Sequence, residues 1–578
     1  MQTERQFRTL IDLFNESLAG IERPDRMCVE IIRADRQESM TFEQLRMRAR
    51  DFAVWLIRSG GIGIGDKIAI LGRNRADWDV ALWGTLLAGG IPLLIDPDRP
   101  IEGVMNHVTH TETRLIVMAD DYQDEDARRE LARLASGRDV ALIEMTVHEK
   151  LDADEKEIDE LLSGIAGEVQ PEQTAVILCT SGTTGDPREV ELTHVNLDAN
   201  VRGSVRKVDI SAADMLGHIL PPHHSFGLTV GKLLPFCVGA TNVYTSKFRE
   251  IGELIRDRQV TIFIAVPALF TMLAKNVEER LAKEKEKKAY LSLLDRHMPK
   301  QLGKGIIKKL GWEKLRFFLS GSAPMPKWVL ESFWRRGLRL YEGYGTTENS
   351  PVYGFNDNLE GLGSVGKPID TLYVKIVDDK ERTLGPDEKG EIALGGPCIM
   401  KGYYKNPKAT EAVIRTDEQG VRWLLTGDLG HLDEHGNLHI TGRKKYVIVL
   451  PCGKNVSPER VESALSQAQF VEEVLVVPGF LTDSGGEAQE AVKAIVRPAW
   501  EALESRGKHS ADDLRSEPKL LKNILWKNIN ECQQNSRQLS GFEKISSQHL
   551  EIRIEEFQKT STGKIKRELY MKDVKVAE

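Results

Sequence analysis

The chain has 578 residues, which is too long for one hydrophobic core, so two or more domains are expected. Hydrophobic residues make up 41% and charged residues 29%, an ordinary balance for a globular protein in water. The formal net charge of −8 excludes the strong basic excess that is typical of nucleic-acid binding.

The cysteines and the apolar stretches indicate a cytoplasmic protein. Six cysteines are scattered without CxxC spacing, so they are expected to be reduced thiols that form neither disulfides nor a zinc site. The N-terminus shows no targeting signal. The longest uncharged stretch, residues 80–95, contains three glycines and a proline and is shorter than the roughly 20 residues of a membrane span. We therefore expect a cytoplasmic protein, whose membrane contact, if any, is peripheral and at the inner face.

The first half of the chain alternates helical patterns with short β-branched runs. Residues 67–71 and 115–118 are typical of buried strands, and residues 77–87 are typical of a helix. This alternation predicts parallel sheets covered by helices.

A loop of hydroxyls and glycines follows the apolar run 175–179. Glycines let a backbone approach a ligand closely, and short hydroxyls with successive N–H groups can surround phosphate oxygens. The segment is therefore a candidate phosphate loop, and its residues are Thr180, Ser181, Gly182, Thr183, Thr184 and Gly185.

Residues 276–314 form a helical tract rich in lysine and glutamate. A solvated helical face is the simpler interpretation. The functional alternative is an electrostatic contact with an anionic membrane or an acidic carrier protein.

The sequence pattern changes after residue 365. Short strands separated by turn signals predict a small antiparallel, barrel-like unit at about 365–440, and a compact α+β module follows residue 442. Four further motifs stand in this half, at residues 343–348, 426–428, 442–445 and 560–564.

Taken in order, the phosphate loop and these four motifs resemble the signature of the adenylate-forming superfamily. The resemblance runs from about Thr41 to the C-terminus and is most specific to bacterial long-chain fatty acyl-CoA synthetases and acyl-acyl-carrier-protein synthetases. It implies an α/β fold whose large N-terminal domain has two parallel-rich sheets layered with helices and a small distorted β-barrel. It also implies a small mobile α+β C-terminal domain, with domains at 1–441 and 442–578 and a hinge near Lys445.

The resemblance also implies a role for each matched residue. The loop 180–185 would bind the β- and γ-phosphates of ATP. Thr347 would contact the α-phosphate, Glu348 would hold Mg²⁺, and Lys564 would bridge the acyl carboxylate and the α-phosphate. Histidine at position 224 would lie beside the acyl group and polarise its carbonyl. The nucleoside would be held by the adenine wall and ribose ligands, which are Ser322, Gly343, Tyr344, Gly345, Thr346, Asp428 and Arg443.

The chain departs from the family where the phosphate loop ends. The usual Pro-Lys-Gly is Pro187-Arg188-Glu189 here. A carboxylate beside a phosphate path would weaken nucleotide binding unless it points away or pairs with Arg188, and one of these two arrangements is expected.

The predicted activity is ATP-dependent ligation of a carboxylic acid, expected to be a medium- or long-chain fatty acid, to the thiol of coenzyme A. ATP, Mg²⁺ and coenzyme A are the implied cofactors and substrates. Two alternatives stay open: an acyl-acyl-carrier-protein synthetase, and a catalytically silent protein that binds nucleotide and regulates.

Overall fold

The computed structural model describes residues 7–33, 36–145, 154–180, 188–287, 295–358, 361–482, 488–506, 510–536, 539–560 and 563–571. The predicted phosphate-loop residues 181–185 lie outside these ranges. Strands were predicted at residues 67–71 and 115–118, and both are present as predicted. The helix predicted at 77–87 is also present and begins one residue earlier.

The chain up to the phosphate loop alternates strands and helices. Its elements are α1 (Leu10–Ala19), β1 (Met27–Ile32), β2 (Gln37–Thr41), α2 (Phe42–Arg58), β3 (Lys67–Leu71), α3 (Ala76–Leu87), β4 (Ile91–Ile95), α4 (Ile101–His110), β5 (Leu115–Met118), α5 (Glu125–Ser136), β6 (Ala141–Glu144), α6 (Glu155–Glu168) and β7 (Thr174–Thr180).

The next part of the chain continues the alternation and includes one short π-helical stretch, Thr229–Leu233. Its elements are β8 (Arg188–Thr193), α7 (His194–Lys207), β9 (Met215–His218), α8 (Ser225–Leu228), α9 (Leu234–Cys237), β10 (Thr241–Thr245), α10 (Ile251–Asp257), β11 (Ile262–Ala265), α11 (Pro267–Lys287), α12 (Pro299–Leu310), β12 (Phe317–Ser320), α13 (Lys327–Arg335), β13 (Leu340–Tyr344) and β14 (Gly354–Phe355).

Two parallel-rich sheets form the large N-terminal domain. The first has the order β14-β13-β12-β11-β9-β10-β1-β2, with antiparallel strands only at its two edges. The second sheet has the order β17-β8-β7-β4-β3-β5-β6, where β17 is Gly402–Tyr403. Strands β7 and β8 form an antiparallel hairpin, and β17 pairs antiparallel with β8 at the edge of the sheet. Helices cover both sheets and share a large apolar core, which includes Phe14 and Trp78.

An antiparallel unit follows, as predicted. It has five strands in the order β15-β16-β19-β18, with β20 paired to β19. The elements of this part, besides β17, are β15 (Tyr373–Val377), β16 (Gly390–Gly395), α14 (Pro407–Val413), β18 (Ile414–Thr416), β19 (Arg422–Leu432) and β20 (Leu438–Arg443).

The C-terminal α+β domain has its own apolar cores, built from residues after 447. A three-stranded sheet, β23-β24-β25, packs against its helices. Its elements are β21 (Ile448–Val449), β22 (Asn455–Val456), α15 (Pro458–Leu465), β23 (Val471–Thr482), β24 (Ala488–Pro498), α16 (Trp500–Arg506), α17 (Ala511–Ser516), α18 (Pro518–Asn535) and β25 (Leu550–Ile552).

The fold class is therefore as predicted. The boundary at 441/442 stays a prediction. Within the ranges that the structure describes, no helix has the combination of length and apolar character needed to cross a bilayer.

Candidate active site

A large cleft opens where the parallel strands of the first sheet end. The loops after β9, β11, β12 and β13 line it on one side, and the C-terminal domain lines it on the other. Ligand crevices in open α/β sheets lie at this carboxyl edge. The cleft has a volume of about 3590 Å³, several times the ~300–1,000 Å³ of a pocket for one small molecule. It has room for a nucleotide and a second substrate.

The loop after β13 holds two predicted residues in a fixed turn. At Gly345 φ is +155°, and a Cβ there would lie 1.5 Å from the Pro351 carbonyl oxygen, so only glycine fits. The next residue, Thr346, and Asn349 cap a short 3₁₀-helix reciprocally. Within that helix the Thr347 hydroxyl lies 3.0 Å from the Ser225 hydroxyl.

Glu348, in the same 3₁₀-helix, presents a carboxylate to the cleft. The Tyr403 hydroxyl donates to its Oε1 at 3.0 Å. Among the residues that the structure describes, no group of three or more His, Cys, Asp or Glu side chains is placed to hold a metal. One carboxylate beside the Thr347 hydroxyl suits a hard cation that brings most of its oxygen ligands with it, as Mg²⁺ does on phosphates.

A hydrogen-bonded triad joins the end of β13 to β19 and β20. Asp428, 4% exposed, accepts from the Tyr344 hydroxyl at 2.8 Å and from Arg443 Nε at 2.7 Å. Burial and the neighbouring carboxylate hold the pKa of Tyr344 well above its ordinary value. Asp428 outweighs the effect of burial and raises the pKa of Arg443. The triad is a fixed anionic acceptor, as vicinal hydroxyls of a sugar would require.

Gly343 and Ser322 line the cleft beside this triad. Ser322 has a φ of +74°, in the left-handed region, and its buried Oγ has no hydrogen-bond partner among the described residues. Buried polar atoms are normally paired, so a hydroxyl without a partner at the cleft wall is suited to a ligand.

Lys564 enters the cleft from the C-terminal domain, after Gly563 in a left-handed turn. Its side chain stays accessible to water while the cleft walls surround it. That enclosure, followed by repulsion from Arg443, lowers the pKa of Lys564 to about 8. A lysine at such a pKa is a cation at pH 7, which suits it to binding an anion.

His224 begins the short helix α8 at the cleft wall. Its Nδ1 accepts from the Phe226 backbone N–H at 3.3 Å, which leaves the ring proton on Nε2. Burial lowers the pKa of His224 to about 4, with smaller contributions from His223 and Lys564. The ring is therefore neutral at pH 7 and can donate one hydrogen bond from Nε2.

Arg188 and Glu189, the two residues that depart from the family pattern, point to opposite sides of strand β8. The Arg188 guanidinium lies over the Tyr403 ring, 4.9 Å from its centroid, on the cleft side. Glu189 is 5% exposed and pairs with His107 at 2.7 Å and His110 at 3.2 Å. Of the two expected arrangements, Glu189 points away from the phosphate path, and its partners are these histidines rather than Arg188.

Five residues at or behind the cleft wall are not among the predicted site residues. Tyr403 and Ser225 contact predicted site residues, and His107 and His110 hold Glu189. A fifth, Glu342, accepts from the Met325 backbone N–H at 2.7 Å, and burial raises its pKa to about 7. No motif marks these residues, because each becomes part of the site only through a partner distant in the chain.

Comparisons with known proteins agree with this geometry. The family model of AMP-binding enzymes matches residues 19–404, more than half of the chain. The long-chain-fatty-acid–CoA ligase of Escherichia coli O6:H1 is 27% identical over 514 residues, covering 84% of this chain and 85% of that protein. The chloroplastic long-chain-fatty-acid–[acyl-carrier-protein] ligase AEE15 of Arabidopsis thaliana is 26% identical, covering 79% and 72%.

Among solved structures, ATP-bound MatB from Rhodopseudomonas palustris superposes with a TM-score of 0.73 at 21% identity, covering 97% of this chain and 98% of that one. The fold, with a large N-terminal and a small C-terminal domain, is shared with that structure. This chain belongs to the AMP-binding enzyme family, the adenylate-forming superfamily that the motifs resemble.

The structure brings the predicted residues Thr180, Ser322, Gly343, Tyr344, Gly345, Thr346, Thr347, Glu348, Asp428, Arg443, Lys564 and His224 to one cleft. Lys445 lies behind it, in a 3₁₀-helix that joins the domains, with Nζ 2.9 Å from Glu568 Oε1. The individual roles of all these residues stay predictions.

Proposed function

We propose that this protein is an ATP-dependent acid–thiol ligase that activates a medium- or long-chain fatty acid as its acyl-adenylate and transfers the acyl group to coenzyme A. The observation that carries the proposal is the convergence of Lys564, from the C-terminal domain, on the Asp428–Arg443 triad and His224 of the N-terminal domain. The cation Lys564, the nucleoside acceptor Asp428 and the neutral hydrogen-bond donor His224 therefore face the same part of the cleft.

The first half-reaction needs positioning and charge neutralisation more than proton transfer. A carboxylate oxygen of the acid attacks the α-phosphorus of ATP, the bond to the bridging oxygen of the β-phosphate breaks, and pyrophosphate leaves. Asp428 and Arg443 hold the ribose, and Tyr344 with Gly343 and Ser322 encloses the adenine. Lys564 and the Thr347 hydroxyl hold the reacting carboxylate and the α-phosphate together.

Magnesium, which would be held by Glu348 and the phosphates, supplies charge neutralisation at those phosphates when bound. Residues 180–185 and Arg188 would hold the leaving pyrophosphate. Neutral His224 donates a hydrogen bond to an oxygen of the acyl group without adding a charge.

The second half-reaction requires the thiol to reach the acyl carbonyl. The thiolate attacks that carbon, the bond to the phosphate oxygen breaks, and AMP leaves. We propose that rotation of the residues that follow Lys445 withdraws Lys564 and brings the segment 449–455 to the cleft, while Arg443 stays paired with Asp428. The ion pair between Lys445 and Glu568 would break and reform in this motion.

A group of apolar side chains that line the cleft, called here the apolar branch, supports a fatty acyl chain. It belongs to the apolar core around β9, β11 and β12 and includes Phe226, Val230, Leu234, Leu319 and Phe355. A hydrocarbon chain gains roughly 0.8 kcal/mol per buried methylene in such a branch. The name of the Escherichia coli relative, a long-chain-fatty-acid–CoA ligase, supports the same class.

Pyrophosphate release across straight-chain acids of four to eighteen carbons tests the proposal. We expect release that depends on ATP and acid and rises with chain length until the branch is filled. Aromatic and dicarboxylic acids of matched size serve as controls. Release with a short or aromatic acid alone would overturn the fatty-acid class, and no release with any acid would favour a silent nucleotide-binding protein.

The acceptor is tested in the same assay. Thioester formation with coenzyme A is expected, and holo acyl carrier protein is the comparison. Higher turnover with the carrier would favour the acyl-acyl-carrier-protein synthetase alternative, to which the relative AEE15 of Arabidopsis thaliana lends support by its name.

A basic surface on helix α12 supports a peripheral membrane contact. Four exposed lysines there form no ion pair within the described ranges, and Met298 and Leu310 are exposed at the helix ends, 46% and 37% respectively. The lysines are Lys300, Lys304, Lys308 and Lys309. Near an anionic surface each is worth about 1 kcal/mol. We expect salt-sensitive co-sedimentation with phosphatidylglycerol vesicles that neutral vesicles do not give, and that replacing the four lysines by glutamine removes.

A further inference from the structure

Tyr403 contacts two predicted phosphate-site groups at once. It is 7% exposed, in the two-residue edge strand β17. Its hydroxyl donates to Glu348 Oε1 at 3.0 Å, and its ring lies under the Arg188 guanidinium at 4.9 Å. Glu348 lies in the 3₁₀-helix after β13 and Arg188 begins β8, and the Tyr403 side chain contacts both.

The direction of the hydrogen bond follows from the chemistry of the pair. A tyrosine hydroxyl carries its proton at neutral pH and can donate it in a hydrogen bond. An ionised carboxylate only accepts, so Tyr403 is the donor. This bond occupies Oε1 and leaves the second oxygen of Glu348 for another partner.

The backbone around Tyr403 is held by hydrogen bonds that do not involve its side chain. Backbone hydrogen bonds on both sides fix its strand against β8: Lys401 N–H donates to the Glu191 carbonyl at 3.0 Å, and Tyr404 N–H donates to the Glu189 carbonyl at 2.8 Å. Behind β8, His107 and His110 hold Glu189. The tyrosine therefore stands on a rigid support beside the end of the phosphate loop.

We propose that Tyr403 is a positioning residue that sets the Glu348 carboxylate for the magnesium ion of bound ATP and holds Arg188 at the phosphate side of the cleft. The proposal rests on the proposed function, since it assigns the partner of Glu348 within the same nucleotide site. A carboxylate restrained before the nucleotide arrives loses less conformational freedom on binding, as does an arginine with an aromatic platform.

The two contacts can be separated by substitution. Tyr403→Phe removes the hydrogen bond to Glu348 and keeps the ring under Arg188. Tyr403→Ala removes both. Tyr404→Phe is the matched control, because the neighbouring hydroxyl makes only a long contact, 3.4 Å, with the Thr111 carbonyl.

The readout is the dissociation constant of ATP, measured by calorimetry without acid substrate, once with Mg²⁺ and once with EDTA. For Tyr403→Phe we expect binding about tenfold weaker with Mg²⁺, the lower end of the effect of losing a ligand's hydrogen-bond partner, and unchanged binding in EDTA. Tyr403→Ala should weaken binding in both conditions, and Tyr404→Phe in neither.

The outcomes separate this proposal from the function it rests on. Wild-type binding of Mg-ATP by Tyr403→Phe, or equal losses with and without Mg²⁺, would overturn the role of Tyr403 and leave the ligase proposal intact. Failure of the wild-type protein to bind ATP would overturn both. Thermal melts confirm folding, and Tyr403→Phe decides the result if Tyr403→Ala does not fold.

Discussion

Asp428 and Lys564 face the same cleft, yet the protein positions them in opposite ways. Asp428 is buried in the antiparallel unit, and the side chains of Arg443 and Tyr344, which both precede Lys445 in the chain, donate to it at 2.7 and 2.8 Å. Lys564 arrives from the other domain on a water-accessible turn, and its ammonium has no hydrogen-bond partner among the described residues. A group needed throughout the reaction is fixed in place, whereas a group needed for one step is carried in and out.

Removing the Lys564 ammonium should produce the largest difference between the rates of the two half-reactions. Without the cation that binds carboxylate and α-phosphate, we expect Lys564→Ala to lower acyl-AMP formation about 10²- to 10³-fold. Thioester formation from supplied acyl-AMP should stay within about twofold, because Lys564 is withdrawn in that step.

The control is Lys519→Ala, an exposed lysine on α18 of the same domain. Rapid-quench measurement of both half-reactions decides the point. Equal losses in the two steps would show that Lys564 is not specific to adenylation.

Replacing Asp428 should affect both half-reactions. Asp428→Asn keeps the shape but removes the charge, leaving Arg443 without its counter-ion. A lost charged hydrogen bond of about 2 kcal/mol is roughly a 30-fold fall in kcat/KM for ATP. The surface turn variant Asp433→Asn should be unaffected. An effect confined to one half-reaction would contradict a fixed nucleoside acceptor.

The pH dependence of acyl-AMP formation should report the ionisation of Lys564. With a pKa of about 8 in the free enzyme, Lys564 is protonated below that value and loses its charge as the pH rises through it. We therefore expect kcat/KM for acyl-AMP formation to fall about tenfold per pH unit above pH 8. The Lys564→Arg variant should lack this alkaline fall, whatever its absolute rate, and a fall that persists in it would assign the pKa to another group.

Substitution of Lys445, in the segment that links the two domains, should have a smaller effect on the rates of the half-reactions. Lys445→Pro restricts φ in the 3₁₀-helix between the domains. We expect the thiol step to slow about tenfold and adenylation to stay within about twofold, as for a hinge variant. Lys445→Ala removes the partly exposed ion pair with Glu568 and keeps backbone freedom, so it should be nearly neutral. Wild-type rates in both half-reactions for Lys445→Pro would place the hinge elsewhere.

The smallest effect on nucleotide binding is expected at Glu189. Because this carboxylate faces His107 and His110, Glu189→Gly should leave the KM for ATP within about twofold, with no salt dependence. Its cost should appear in stability, as a fall of about 3 kcal/mol in the free energy of unfolding of the N-terminal domain, because a buried pair is broken. A several-fold, salt-sensitive drop in KM would mean that the carboxylate acts on the phosphates after all.

The sequence predicted those parts of the site whose residues are neighbours in the chain. Thr346, Thr347 and Glu348 lie in one turn after a strand, and the Thr-Gly-Asp of residues 426–428 is equally local, so their motifs and order predicted a nucleotide cleft and its fold. Tyr403 is separated from Glu348 by 55 residues, and His107 from Glu189 by 82. Contacts of this kind arise when β17 adds to the edge of β8 and α4 packs behind it, and no periodicity or spacing predicts them.

The two domains have separate apolar cores, one ending before residue 447 and one beginning after it. Each core is large enough to melt as its own cooperative unit, and the polypeptide between them transmits little of that cooperativity. A ligand held by the Asp428 triad stabilises the unit that contains it by mass action and leaves the other largely unchanged. A single free energy of unfolding therefore does not describe this chain, and its resistance to heat or proteolysis is a property of each half.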